Sequence, residues 1–412
     1  MVPRILEKAI RSAMKTFPAT IVTGPRQSGK TTLLKERFGK THHFISLEDP
    51  DLRRLIEEDP RGFLRNNPPP VILDEIQYVP QLLHFIKSAI DLDRRPGRWL
   101  LSGSQSFPLM QEASQSLSGR VAVLSLLPFS LEENQKRVGS QTDLDRILKG
   151  FFSNFTQKAE LKPGQPTMAL EKRILQGGYP EIRVNPKVNR RLWMASYIQT
   201  YLERDVRQMV NVGDLNTFHR FLRLVAARTG QILNLSDLAR DVGMSVPTIK
   251  KWISILEASY QIFLLPPYFN NLGKRLIKSP KVYFLDTGIA SYLMGLHAAE
   301  PLQSGPMMGP LFETLVVSEW VKAFYHRGEH PELYYWRDKS GLEVDLIIDR
   351  NGLLYPIEIK ATATLLPGHA ESLLKWKELA GKSAAKGLIV ANIDHPWTFK
   401  DIQGISWQRG LG

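Results

Sequence analysis

Cysteine is absent from the chain. Disulfides, Cys-ligated zinc and thiol nucleophiles are thereby excluded. Long apolar runs are absent too: none approaches the roughly 18 residues that a bilayer-spanning helix needs. Residues 1–17, MVPRILEKAIRSAMKTF, have the pattern of an amphipathic helix broken by charges and lack the apolar core of a secretion signal. The expectation is a cytoplasmic protein with no membrane partner. There is no internal repeat and no low-complexity tail. Acidic residues are in short supply, 41 Asp and Glu against 54 Lys and Arg, giving a formal charge of +13. A basic surplus of that size attracts polyanions, and the plain alternative is merely a soluble basic protein.

What is present is an ordinary globular composition, 43% hydrophobic and 23% charged. A chain of 412 residues is too long for one core, so two to four domains are expected. Residues 1–135 alternate short apolar runs with helical stretches, as a parallel α/β domain does. Strands are predicted at 19–23, 43–47, 71–73, 99–102 and 121–125, with a helix at 30–38. Residues 136–210 read as mostly helical, interrupted by the turn-rich QGGYP at 176–180. Residues 211–302 combine helices with two apolar runs, 262–265 and 282–285. The Gly- and Pro-dense segment 303–310 (QSGPMMGP) reads as a linker. From there to 412 the pattern is helix, three strands, helix, strand.

Residues 24–31 read GPRQSGKT, a complete G-x-x-x-x-G-K-[ST] string between a predicted strand and a predicted helix. The loop Gly24, Pro25, Arg26, Gln27, Ser28 and Gly29, with Lys30, Thr31 and Thr32, is therefore the expected ATP site. Its glycines let the backbone wrap the phosphates, and the helix N-terminus adds free N–H groups. Lys30 is expected on the β- and γ-phosphates, and the Thr31 hydroxyl on Mg²⁺. The apolar run 71–73 ends in Asp74 and Glu75. Asp74 would hold Mg²⁺ through water, and Glu75 would orient the attacking water. A P-loop alone fits kinases and GTPases as well; the Asp-Glu pair points to an ATPase. Ser104, just past the strand 99–102, is either a γ-phosphate sensor or a turn serine. Arg120, before the strand 121–125, is a candidate finger for a neighbouring subunit's ATP or an ordinary surface arginine.

Together, residues 24–32 (GPRQSGKTT), 71–77 (VILDEIQ), 101–105 (LSGSQ), 119–121 (GRV) and 127–132 (LPFSLE) resemble the widespread prokaryotic AAA-type ATPases of largely unassigned role. In those proteins the ATPase is followed by a C-terminal region of unknown function. The resemblance covers nearly the whole chain, including GGYPE at 177–181 and YLERDV at 201–206. It implies that Arg120 acts as a finger in trans. A finger in trans needs a neighbour, so a homo-oligomer is expected, a ring or partial ring, with a hexameric ring among its forms.

Residues 235–259, LSDLARDVGMSVPTIKKWISILEAS, have the spacing of a helix-turn-helix, with Gly243 at the turn and Ser245 as cap. Lys250 and Lys251 fall on the outer face of the second helix, where DNA would be met. The stretch 270–281 (NNLGKRLIKSPK) suits the wing of a winged helix, with Lys274, Arg275, Lys278 and Lys281 placed for phosphate contact. The alternative is a small helical domain used for packing.

In the last segment, Glu313 lies on a helix, Asp345 on a strand, and Glu358 and Lys360 on the next. Order and spacing resemble the PD-(D/E)xK nuclease fold. Asp345 and Glu358, with Glu313, are candidate ligands for Mg²⁺, and Lys360 would handle the attacking water or the scissile phosphate. Cleavage and binding without cleavage both remain open.

The expected protein is thus α/β: an AAA-type P-loop ATPase core (1–135) with helical lid (136–210), a winged-helix module (211–302) and a PD-(D/E)xK nuclease-like domain (303–412). The expected function is an ATP-hydrolysing motor that translocates or remodels DNA at branched or junction structures, with branched or duplex DNA as the partner. An ATP-gated nuclease and an ATP-dependent signalling or defence switch with a protein partner are the rivals.

Overall fold

The computed structural model describes residues 2–104, 116–135, 143–153, 169–202, 215–268, 279–338 and 340–408. The chain packs as two units. The first comprises Met1–Phe129 with Ala258–Tyr260 and Phe324–Glu329; the second comprises Ser130–Glu257, Gln261–Ala323 and His330–Gly412. No helix among the described residues is long and apolar enough to cross a membrane.

The first unit is built on strands β1 (Ala19–Thr23), β2 (His43–Ser46), β3 (Val71–Asp74), β4 (Trp99–Ser102) and β5 (Val121–Ser125). They form one sheet in the order β2-β3-β4-β1-β5, every pair parallel. β1, β3 and β4 are buried at every position, which is why they read as continuous apolar runs rather than alternating ones. Alternate side chains still serve opposite faces. Ile21, Leu73 and Leu101 join one core with Ile86 and Ile90. Val22, Ile72 and Leu100 join the other with Leu6, Ile10, Leu33 and Leu34. Helices α1 (Leu6–Ala13) and α2 (Lys30–Phe38) supply the second face; α3 (Pro50–Glu58), α4 (Pro60–Asn66) and α5 (Leu82–Leu92) supply the first. Because every strand runs the same way, the carboxyl ends of β1, β3 and β4 open on one edge. Thr23, Asp74 and Ser102 all stand there.

In the second unit, α6 (Leu170–Gln176) and α7 (Arg190–Tyr197) flank the turn at 177–180. Gly177 has φ 64°, and a Cβ there would lie 2.2 Å from Asp286 Oδ1. That carboxylate accepts hydrogen bonds from Gly178, Gly288 and Ile289 N–H at 2.7, 2.9 and 3.1 Å. Only glycine fits, and the glycine-rich turn is explained by packing.

Next come α8 (Leu215–Ala227), β6 (Gln231–Ile232), α9 (Leu235–Val242), α10 (Val246–Ala258), β7 (Ile262–Leu265) and β8 (Lys281–Phe284). The strands form an antiparallel sheet in the order β6-β8-β7. The Asn234 side chain caps α9 and Gly243, at φ 74°, ends it. Ser245 accepts the Thr248 N–H at 3.3 Å at the start of α10. Trp252 packs edge-on against Phe218 and Phe221, which fixes the exposed face of α10 outward. After α11 (Thr287–Leu293), the long α12 (Met308–Tyr325) leads to β9 (Leu333–Arg337), β10 (Glu343–Arg350) and β11 (Leu353–Lys360). Helix α13 (Glu371–Ala380), β12 (Gly387–Ala391), β13 (Trp397–Phe399) and β14 (Ile402–Ser406) complete the chain. These strands form a mixed sheet, β13-β14-β12-β11-β10-β9.

Candidate active site

The loop after β1 has the backbone that its glycines permit. Gly24 has φ 142°, and a Cβ would stand 2.1 Å from the Leu126 carbonyl. Gly29, at φ 95°, opens α2. Lys30 is only 4% exposed. Its ammonium curls over its own loop, donating to the Gly24 and Pro25 carbonyls at 3.1 and 2.9 Å. The Ser28 hydroxyl is buried with no hydrogen-bond partner, an orphaned donor of the kind a phosphate oxygen satisfies. Pro25 is buried, Arg26 half-buried, and Gln27 and Thr32 exposed.

Thr31 donates its hydroxyl to Asp74 Oδ2 at 2.9 Å. Ser102 donates to the other Asp74 oxygen and accepts from the Glu75 N–H at 3.4 Å. Burial pushes the Asp74 carboxyl up, and the Ser102 and Thr31 hydroxyls pull it partly back. A hydroxyl and a carboxylate side by side at the head of α2 fit Mg²⁺ chemistry. Thr31 and Asp74 are the residues that would hold the ion, and it would supply charge neutralisation between the β- and γ-phosphates. Glu75 follows directly in left-handed geometry, φ 59°, and the Gln77 side-chain amide donates to its carboxylate. Ser104 is 7% exposed, two residues beyond β4 on the same edge.

Arg120 stands elsewhere. Its carbonyl accepts from the N–H of Ala19, at the opposite end of the five-residue β1 from the P-loop. About 16 Å separates the two ends of such a strand. Its guanidinium is held by Asp91 at 2.7 Å. Arg120 therefore cannot reach its own chain's phosphates.

Sequence reading passed over three residues that hold this site. Arg4 is 5% exposed and clamps the loop from behind, donating to the Ser28 and Leu127 carbonyls at 2.7 and 2.6 Å. The Tyr260 hydroxyl bonds Thr23, the last residue of β1, at 3.1 Å and Ser125, the last of β5, at 2.6 Å. His326 accepts the Leu127 N–H at 3.2 Å. No motif announces any of them.

A second constellation lies in the C-terminal sheet. Asp345 on β10 accepts the Ile359 N–H at 2.8 Å, which brings it to Glu358 and Lys360 on β11. Lys360 pairs with Glu358 and lies 4.0 Å from Asp345. Glu358 Oε2 is buried without a partner. Burial, then the Asp345 charge, pushes Glu358 up to about 8, with Lys360 opposing. Glu313 on α12 is pushed up to about 7 by burial and Asp345, with Lys281 opposing. Burial works against the Lys360 ammonium, yet Asp345 and Glu358 hold its pKa above the usual value.

Lys281 departs from its expected place. Rather than exposing its charge on a basic hairpin, it is 3% exposed and paired with Glu313 at 3.0 Å and with Glu343. It cannot touch a DNA phosphate. Tyr283 donates to the same Glu313 oxygen as Lys281, so one oxygen of the carboxylate expected on Mg²⁺ already serves two donors. Among the described residues no group of three or more His, Asp or Glu is arranged to hold a metal ion. The three-carboxylate metal set of Glu313, Asp345 and Glu358 does not fit. Lys250 and Lys251 are exposed on α10 as expected; Lys274, Arg275 and Lys278 lie outside the described residues.

Comparison with known proteins adds identity to this geometry. Residues 16–135 match the AAA domain. Residues 167–300 and 308–408 match two domains of unknown function, DUF8612 and DUF4143. Two mycobacterial proteins, uncharacterized protein Rv2008c of Mycobacterium tuberculosis and uncharacterized protein Mb2031c of Mycobacterium bovis, are each 30% identical to the chain over 359 residues. Each alignment covers 86% of this chain and 73% of the relative. Among solved structures, the Walker-type ATPase PABY2304 of Pyrococcus abyssi resembles it loosely: TM-score 0.41, 14% identity, covering 70% of this chain and 94% of that one. With its P-loop, Thr31–Asp74 pair and Glu75 in an AAA-domain segment, the chain belongs to the family of these mycobacterial proteins and is a P-loop ATPase of the AAA type.

Proposed function

We propose that the chain is an ATP-hydrolysing motor that acts on DNA, with branched or duplex DNA held by its segments beyond residue 210. The observation that carries the proposal is the Tyr260 hydroxyl, bonded to both Thr23 and Ser125 at the head of the P-loop. Tyr260 lies two residues past the end of α10, the helix that bears exposed Lys250 and Lys251. A rearrangement around the γ-phosphate thus has a short covalent route to the helix proposed to meet DNA. The basic surplus of +13 supports a polyanionic partner. The two consecutive helices with a three-stranded antiparallel sheet support the winged-helix reading. The helix-strand-strand-strand-helix-strand order from residue 308 supports a nuclease-like fold used for binding.

In this reading the P-loop N–H groups and Lys30 cradle the β- and γ-phosphates. Glu75, held by Gln77, orients the attacking water. Ser104 senses the γ-phosphate from the head of β4. Arg120 serves the site of a neighbouring copy, which makes the working form a homo-oligomer, a ring or partial ring.

The test is the ATPase rate of the full chain with no DNA, single strands, linear duplex and four-way junctions. Stimulation by one form names the substrate class and supports the motor. Indifference to all four would replace it with a switch that answers to a protein partner.

A further inference from the structure

Four carboxylates gather in the C-terminal cluster, Glu313 from α12, Glu343 and Asp345 from β10 and Glu358 from β11. Acids gathered this closely, two of them buried, need a cation, and hard divalent ions are the usual choice. Here the positive charge arrives on a side chain. We propose that Lys281 is the resident cation of this cluster, its ammonium standing where a divalent ion would bridge Glu313 and its neighbours. The cluster's Glu313 side is thereby closed to metal in the protein as it folds.

Several observations converge on this. Lys281 is all but excluded from solvent, yet it meets two carboxylates, Glu313 at 3.0 Å and Glu343. The Tyr283 hydroxyl donates to the same Glu313 oxygen, so that oxygen has no lone pair left for a metal ion. The Tyr335 ring covers the ammonium at 5.6 Å, and the Tyr335 hydroxyl donates to the Ser279 carbonyl at 2.8 Å, pinning the entry to β8. Lys281 heads a strand buried at all four positions, Lys281–Phe284. It reaches the cluster from the sheet that follows α10, outside the segment that carries the acids. The other end of the cluster differs. Lys360, with about a third of its side chain exposed, is its accessible cation. The inference stands on the C-terminal cluster alone and does not depend on the DNA-motor reading.

The experiment compares thermal unfolding of the nucleotide-free full chain with and without MnCl₂ for wild type, Lys281→Arg and Lys281→Met. Wild type and Lys281→Arg should be unmoved by Mn²⁺. Lys281→Met should melt lower, and Mn²⁺ should raise it by several degrees, because the ion takes the vacated charge. Adding Asp345→Asn to Lys281→Met should abolish that rise, which separates this cluster from the P-loop. A Lys281→Met protein that folds but ignores Mn²⁺ would make the lysine a structural counter-ion only and overturn the proposal. Should Lys281→Met not fold, Mn²⁺ titration of wild type by electron paramagnetic resonance decides. Stoichiometric binding lost in Asp345→Asn refutes the proposal, and no such binding upholds it.

Discussion

Replacing Glu358 by Gln removes a charge that the fold holds against its environment. The residue is 4% exposed, one oxygen pairs with Lys360 and the other has no partner. Burial and Asp345 together raise its carboxyl from 4.5 to about 8. A carboxyl whose folded-state pKa lies above its unfolded value binds its proton more tightly when folded. Its ionisation therefore costs nothing in stability below about pH 4.5, and the cost grows until pH passes about 8. At about 1.36 kcal/mol per pH unit, the rise sets a ceiling of about 5 kcal/mol. Glu313, raised in the same cluster, shares the titration, so the working expectation is ~2–3 kcal/mol. Glu358→Gln keeps the shape and stays neutral. It should match wild type at pH 5 and exceed it by that amount at pH 9. Urea unfolding at pH 5, 7 and 9, with hydrogen exchange of β11 amides, measures both. A Glu358→Gln protein less stable than wild type at pH 9, or a difference flat across pH, would refute the reasoning.

Three further outcomes are expected. Glu75→Gln should keep ATP binding and lower turnover by about 10²–10⁴-fold, since the water loses its orienting carboxylate; wild-type turnover would reassign that role. Arg120→Ala should lower kcat by roughly 10³-fold or more with ATP affinity retained. Activity should return on mixing with Lys30→Ala protein, one partner supplying the intact site and the other the arginine; a fully active monomer at every dilution would end the idea. Replacing Lys250, Lys251, Lys274 and Arg275 together should weaken DNA binding equally across sequences and flatten the log–log salt dependence by about 3–4, and an unchanged slope would move the DNA site elsewhere.

The nucleotide site was legible because its geometry is written locally. Eight consecutive residues fix the loop, and Gly24 and Gly29 stand at backbone angles that side-chain-bearing residues rarely adopt. The strands around it were legible for a related reason. A parallel strand covered on both faces is a continuous apolar run, and β1 and β4 have the predicted bounds, as does the part-exposed edge strand β5. β2 and β3 each differ by one residue at the carboxyl end. The placement of Arg120 needed the sheet. Position before a strand says nothing about which end of the neighbouring strand lies beside it; the parallel register of β1 and β5 does.

What escaped the sequence shares one property: the interaction joins residues far apart in the chain and involves a side chain that matches no motif. Arg4 holds carbonyls 24 and 123 residues away. Tyr260 holds hydroxyls 237 and 135 residues away. Neither residue type is unusual where it occurs, so only the fold reveals the meeting. Lys281 shows the same limit from the other side. Read as a string, it closes the basic stretch 270–281. Read as a strand, it heads KVYF, whose every position is buried. A lysine that begins a wholly buried strand must bring its charge to acids or leave it uncompensated, and an uncompensated buried charge is the costlier state by several kcal/mol. That constraint was present in the sequence, but a cluster of basic residues was the louder signal. Pairing decides between the two readings. The buried Lys281 ammonium is already committed to two carboxylates, Glu313 and Glu343, and so is not offered to a DNA phosphate.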